Sequence, residues 1–128
     1  MTAPHTGRRR ALRGVFAFAG AAALVRTGLA QQTAEPRVIE MTAHRFAYEP
    51  NEIALRAGER VVVAIRSLDF VHGMNIPDLG MRLDLVPGRV TRLELQPKAP
   101  GTIDFVCDNF CGDGHEQMHG RFVVSASR

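Results

Sequence analysis

Glycine and proline punctuate the chain beyond residue 36 into short segments suited to strands. Turn pairs stand at Pro50-Asn51, Ala57-Gly58, Pro87-Gly88 and Pro100-Gly101. Each joins a residue that fixes or tolerates turn geometry to one that interrupts a hydrogen-bonded ladder. Short apolar segments recur between turn signals at intervals of about ten residues, and no stretch carries the apolar repeat of an amphipathic helix. The pattern predicts strands over 37–43, 52–56, 60–67, 90–96, 102–107 and 120–125. Strands of this length and spacing pack as an all-β, Greek-key β-sandwich. About a hundred residues suffice for one core between two sheets, so the fold is expected to form without a metal.

Within 102–107, Ile103, Phe105 and Cys107 share one face of the strand. A strand with Ile103 in the core therefore turns Cys107 inward, at the start of a dense cluster of ligand-type residues. Residues 107–120 read Cys-Asp-Asn-Phe-Cys-Gly-Asp-Gly-His-Glu-Gln-Met-His-Gly and contain both cysteines, two histidines and a methionine. Thiolate, thioether and imidazole together select copper or zinc over hard cations. A methionine among them favours copper, because zinc sites are built from Cys, His and carboxylate. Cys111, His115 and Met118 with a distant histidine would follow the order of a mononuclear blue-copper loop. Cys107 is then one thiolate too many, and two bridging thiolates with two imidazoles suit a pair of coppers better. The plain alternative for two cysteines in an exported protein is a disulfide. A Cys–His nucleophile is disfavoured, because Met118 does nothing for a hydrolase.

The pattern Cys107-x-x-x-Cys111-Gly112-x-x-His115-x-x-Met118, with His72 upstream, resembles the binuclear copper A centre of cytochrome c oxidase subunit II. Nitrous oxide reductase has a similar centre. The resemblance runs from Phe46 to Val124 through Phe46-x-Tyr48-x-Pro50-Asn51, His72-Gly73, Val86-Pro87-Gly88 and Pro100-Gly101, and is strongest for the short subunit II of B-type haem-copper oxidases. It implies a sandwich of cupredoxin type holding two copper ions. Cys107 and Cys111 would bridge the metals, His72 and His115 would each bind one, and Met118 and the backbone carbonyl of Asn109 would be weak axial ligands. Many family members carry Glu where Asn109 stands, a difference that a carbonyl ligand tolerates. The family's usual Trp near the site has no counterpart, since the chain has none. The implied function is electron transfer, from a c-type cytochrome to a haem-copper oxidase or other terminal reductase, with no turnover by this chain alone. A copper carrier or assembly protein of cupredoxin fold is the competing class. His44 and His119 fall on no ligand position, and Met41, Met74 and Met81 read as core or rim.

Residues 1–30 read as an export leader. Arg8, Arg9, Arg10 and Arg13 precede the uncharged apolar stretch 14–25, and Gly28-Leu29-Ala30 puts small residues where a signal peptidase cleaves. Such a stretch makes a helix of about 18 Å against roughly 30 Å of hydrocarbon. Cleavage after Ala30 and a periplasmic location are expected over an anchor on the outer face of the inner membrane. The arginine run also resembles a twin-arginine signal, and general secretory export fits equally well. Residues 31–36 would be a polar linker and 37–128 the copper A domain. The leader holds five of the sixteen Lys and Arg and none of the thirteen Asp and Glu, which leaves the remainder at net −2. Nucleic-acid binding thereby loses its support. Asp108, Asp113 and Glu116 lie among the ligands with no Lys or Arg between Cys107 and His119. That predicts a negative mouth able to steer a basic cytochrome.

Overall fold

Short strands, most of them alternating between buried and exposed residues, form two sheets. The computed structural model describes residues 34–127. Its strands are β1 (Arg37–His44), β2 (Ala47–Glu49), β3 (Glu52–Arg56), β4 (Val61–Ser67), β5 (His72–Ile76), β6 (Met81–Leu85), β7 (Val90–Leu95), β8 (Gly101–Val106) and β9 (His119–Ser125). One sheet has the order β2-β1-β4-β7 and the other β3-β9-β8-β5-β6. The β1–β4 and β3–β9 pairs are parallel and the remaining pairs antiparallel. Among the described residues there is no α-helix, only single 3₁₀ turns at Pro77–Leu79 and His115–Gln117. No described helix is long and apolar enough to cross a membrane. The expected leader, residues 1–30, and residues 31–33 of the expected linker lie outside the described residues.

All six predicted strands are present, and they form the expected all-β sandwich of cupredoxin type. Strands β2, β5 and β6 come in addition to them, and each lacks a sequence signal for an identifiable reason. β2 is three residues long, and β5 is buried at four of its five positions, so it shows no polar alternation. β6 is short and alternates mainly between exposed and half-buried, so its signal is weak.

The core lies between the sheets, where Met41 and Ala43 of β1 and Leu93 of β7 belong to one apolar cluster with Leu55 of β3 and Phe122 and Val124 of β9. Phe105 of β8 sits within it, 4.9 Å from the Phe122 ring and 5.2 Å from the edge-on ring of Tyr48. Aromatic groups of this size carry much of the burial energy of a small core, and truncating one costs about 3–5 kcal/mol. Met41 and Met74 are fully buried and Met81 is half-buried against the cluster. His44 pairs with Glu49 at 3.1 Å, and His119 lies exposed on β9. These histidines and methionines therefore have ordinary structural explanations.

Candidate metal centre

The β8–β9 pairing builds the neck of the ligand loop. Its last register pair is Val106 with His119, and one step further the Cys107 amide donates to the Met118 carbonyl at 2.9 Å. Alternation continues past Phe105, so Cys107 points inward and is buried, as expected from the sequence. Beyond it the chain folds through overlapping turns. The His115 amide donates to the Gly112 carbonyl at 3.2 Å, Gln117 to Gly114 at 3.0 Å and Met118 to His115 at 3.0 Å. Gly112 and Gly114 adopt φ of +133° and +107°, and the Phe46 ring packs against both, so close to Gly114 that an added Cβ would lie 3.0 Å from it. A side chain at Gly114 would meet both strain and the Phe46 ring.

β5 supplies the other half of the site. One ring nitrogen of His72 and the sulfurs of Cys107 and Cys111 lie within 4.8 Å of one another, and all three residues are buried. His115 Nδ1 stands 3.8 Å from Cys111 Sγ. Cys107 Sγ is 3.3 Å from the Asn109 carbonyl, so that oxygen faces the sulfurs. Met118 is 1 % exposed and joins the site through its carbonyl at the neck. Both cysteines are free thiols.

Whether these residues suit a soft metal can be tested on His72. Its Nε2 lies 2.8 Å from Asp69 Oδ1, whereas its buried Nδ1 has no hydrogen-bond partner among the described residues. With Nε2 donating to the carboxylate, Nδ1 is left as a bare acceptor, and burying such a group unsatisfied costs about 1–3 kcal/mol. A metal on Nδ1 would remove that cost, and a carboxylate behind the ring is the usual support for a ligating histidine. Burial would raise the Asp69 carboxyl, but the Arg45 amide, His72 and the Phe70 amide donate to it and hold it below the usual carboxylate range. Burial pushes the Cys111 thiol up and the neighbouring Cys107 sulfur adds to this, against a smaller pull from Arg45. Metal binding deprotonates such thiols. Burial also lifts the Tyr48 phenol far above its ordinary value, with Cys107 contributing, and its hydroxyl donates to the Gly73 carbonyl beside His72.

Asn109 does more than its carbonyl requires. Its Nδ2 donates to the Val71 carbonyl at 2.7 Å, tying the loop to the residue before His72. The Asp108 carboxylate lies over Gly73 and pairs with Arg82 Nε at 2.6 Å, while Arg82 also reaches Asp84 at 2.8 Å. The mouth is accordingly less negative than the linear sequence suggests. Asp108 is paired with Arg82, which Asp84 shares, Arg45 lies against the loop, and Asp113 and Glu116 remain as exposed acids. Sequence reasoning missed Asp69, Arg45 and Arg82. Only Asp69 leaves a local sign, three residues before His72; Arg45 and Arg82 act on residues 66 and 26 positions away.

Comparison with known proteins identifies the family. Residues 15–124 match the family described as cupredoxin-like domain. Cytochrome c oxidase subunit 2 of Thermus thermophilus is 34% identical over 104 residues, spanning 81% of this chain and 73% of that protein. Another protein of the same name from Thermus thermophilus matches at the same identity, with the chain spanning 59% of its length. Among solved structures, a heme-copper terminal oxidase dimer superposes with a TM-score of 0.64 at 27% identity, covering 73% of this chain and 68% of that one. The periplasmic domain of subunit II of cytochrome oxidase from Bradyrhizobium japonicum superposes with a TM-score of 0.65, covering 71% and 85%. At 18% identity that last likeness concerns the fold alone.

Proposed function

This chain belongs to the cupredoxin-like domain family and to that of cytochrome c oxidase subunit 2, and from that premise we propose that it is a copper A electron-transfer domain. The observation that carries the reading is the buried meeting of His72, Cys107 and Cys111 with a bare Nδ1 on the histidine. In this reading Cys107 and Cys111 would be shared by two copper ions, His72 and His115 would hold one each, and Met118 and the Asn109 carbonyl would be the weaker donors. A bridged copper pair supplies a one-electron carrier whose bond-length changes are spread over both metals. The residues around it do the rest. Asp69 holds the His72 ring, the β8–β9 neck holds Cys107 and Met118 in register, and the buried walls exclude water from the sulfurs. All the ligands this reading names would be protein donors, which would suit relaying electrons rather than binding a substrate.

The domain acts outside the cytoplasm, after a leader that is removed following Ala30. Its donor is a c-type cytochrome and its acceptor a haem-copper oxidase. Electron paramagnetic resonance of the copper-loaded protein tests the core of the reading. Hyperfine splitting shared by two equivalent copper nuclei is expected; splitting by one nucleus would point instead to a mononuclear site or a copper carrier. Mass spectrometry of the exported protein, expected to begin at Gln31, tests the leader.

A further inference from the structure

We infer that Arg45 is a positioning residue of the metal site, tying its two halves together and biasing it towards the reduced form; the second effect rests on the copper reading above. Arg45 lies in the link between β1 and β2, on neither ligand-bearing segment, and yet it touches both. Its amide donates to Asp69 Oδ2 at 2.8 Å, and the other oxygen of that carboxylate holds His72 Nε2 at 2.8 Å. Its side-chain Nε donates to the Cys111 carbonyl at 2.6 Å. The guanidinium lies over the Phe70 ring, 4.6 Å from its centroid, and Phe70 stands edge-on to His72 at 6.2 Å. One residue therefore grips the carboxylate that orients one ligand, the aromatic wall beside that ligand, and the backbone of another.

Arginine suits both tasks. Its planar fork donates in a fixed direction while presenting a face to an aromatic ring, which a lysine ammonium cannot do. No described carboxylate lies within ion-pair distance of the Arg45 guanidinium. The guanidinium therefore has no direct ion-pair partner among the described residues, Asp69 being held by the backbone amide. A fixed positive charge beside Cys111 favours whichever state of the site carries the extra electron, so reduction becomes easier. Arg45 is exposed, so salt weakens the charge effect, while the hydrogen-bonded tether is largely unaffected.

The test uses Arg45→Gln and Arg45→Lys, with two measurements on each. In the copper-loaded protein, R45Q lowers the midpoint potential, R45K keeps most of it, and the gap between parent and R45Q narrows as salt rises. In the apo protein, amide exchange across 108–118 speeds up about tenfold or more in both variants, because the hydrogen bond to the Cys111 carbonyl is lost. A parental potential in R45Q, or an equal fall in R45K and R45Q, overturns the charge effect; unchanged exchange overturns the tether. The two readings fail separately. If the parent shows no copper-pair spectrum the copper reading falls, and the exchange measurement still decides the tether.

Discussion

The two halves of the metal site are built on different principles. His72 opens β5, is fully buried, and has its ring held by Asp69. The segment between Cys107 and Met118 is a chain of turns, and its Phe110 is 68% exposed. The strand half owes its position to the sheet, since β5 pairs with both β6 and β8. The loop half owes its position to ties from segments around it: Arg45 to Cys111, Asn109 to Val71 beside His72, and Arg82 of β6 to Asp108. A rigid wall thus sets the geometry, and a loop of turns is pinned against it at a few points.

The largest expected effect comes from removing what the two halves share. Cys107→Ser and Cys111→Ser should each abolish the copper-pair spectrum completely while the far-ultraviolet circular dichroism of the sandwich persists, as it should when copper is stripped from the parent. A buried substitution of this kind costs about 1–2 kcal/mol of apo stability, well short of unfolding a domain with this core. Survival of the spectrum in either variant would show that the cysteine in question is not a bridging ligand.

Next comes the strand half. Asp69→Ala leaves the His72 ring without its carboxylate, and copper affinity should fall by about 10- to 100-fold, measured by competition with a chelator of known affinity. An affinity unchanged in Asp69→Ala would mean that burial alone orients His72. Met118→Leu should act more gently, keeping the copper content while moving the midpoint potential, because a weak axial ligand mainly tunes the metal. Copper loss as complete as in the cysteine variants would assign Met118 a structural role instead.

The smallest effects probe the ties. Asn109→Ala keeps the backbone carbonyl and removes only the bond to Val71, so apo stability should fall by about 1 kcal/mol in chemical denaturation. The loop should also exchange its amides faster while the copper spectrum is retained. Arg82→Met removes two surface ion pairs, to Asp108 and Asp84, and should cost less than about 1 kcal/mol, a difference that high salt erases. A larger loss for Arg82→Met than for Asn109→Ala would reverse the ranking of the ties and make the rim ion pair the main anchor.

Six strands, the inward turn of Cys107, and the cluster of sulfur and imidazole donors were legible in the sequence, because each is written in a short local pattern: two-residue alternation, turn pairs, ligand spacing. His72 was legible only through its resemblance to a family pattern, since its own strand shows no alternation and contains a glycine. Tertiary structure alone decided which groups stand behind the ligands. Asp69 behind His72, Arg45 on the Cys111 carbonyl, Asn109 on Val71 and Arg82 on Asp108 are single hydrogen bonds or ion pairs, most between residues far apart in the chain. A polar side chain on a loop looks the same in sequence whether it meets water or a partner, because a hydrogen bond depends on distance and angle at one point and leaves no periodic trace. The same physics explains the charge of the mouth. Three acids within a few residues read as a negative patch, but a field is summed over space, and the fold brings Arg82 and Arg45 to the loop from segments that the linear spacing keeps apart.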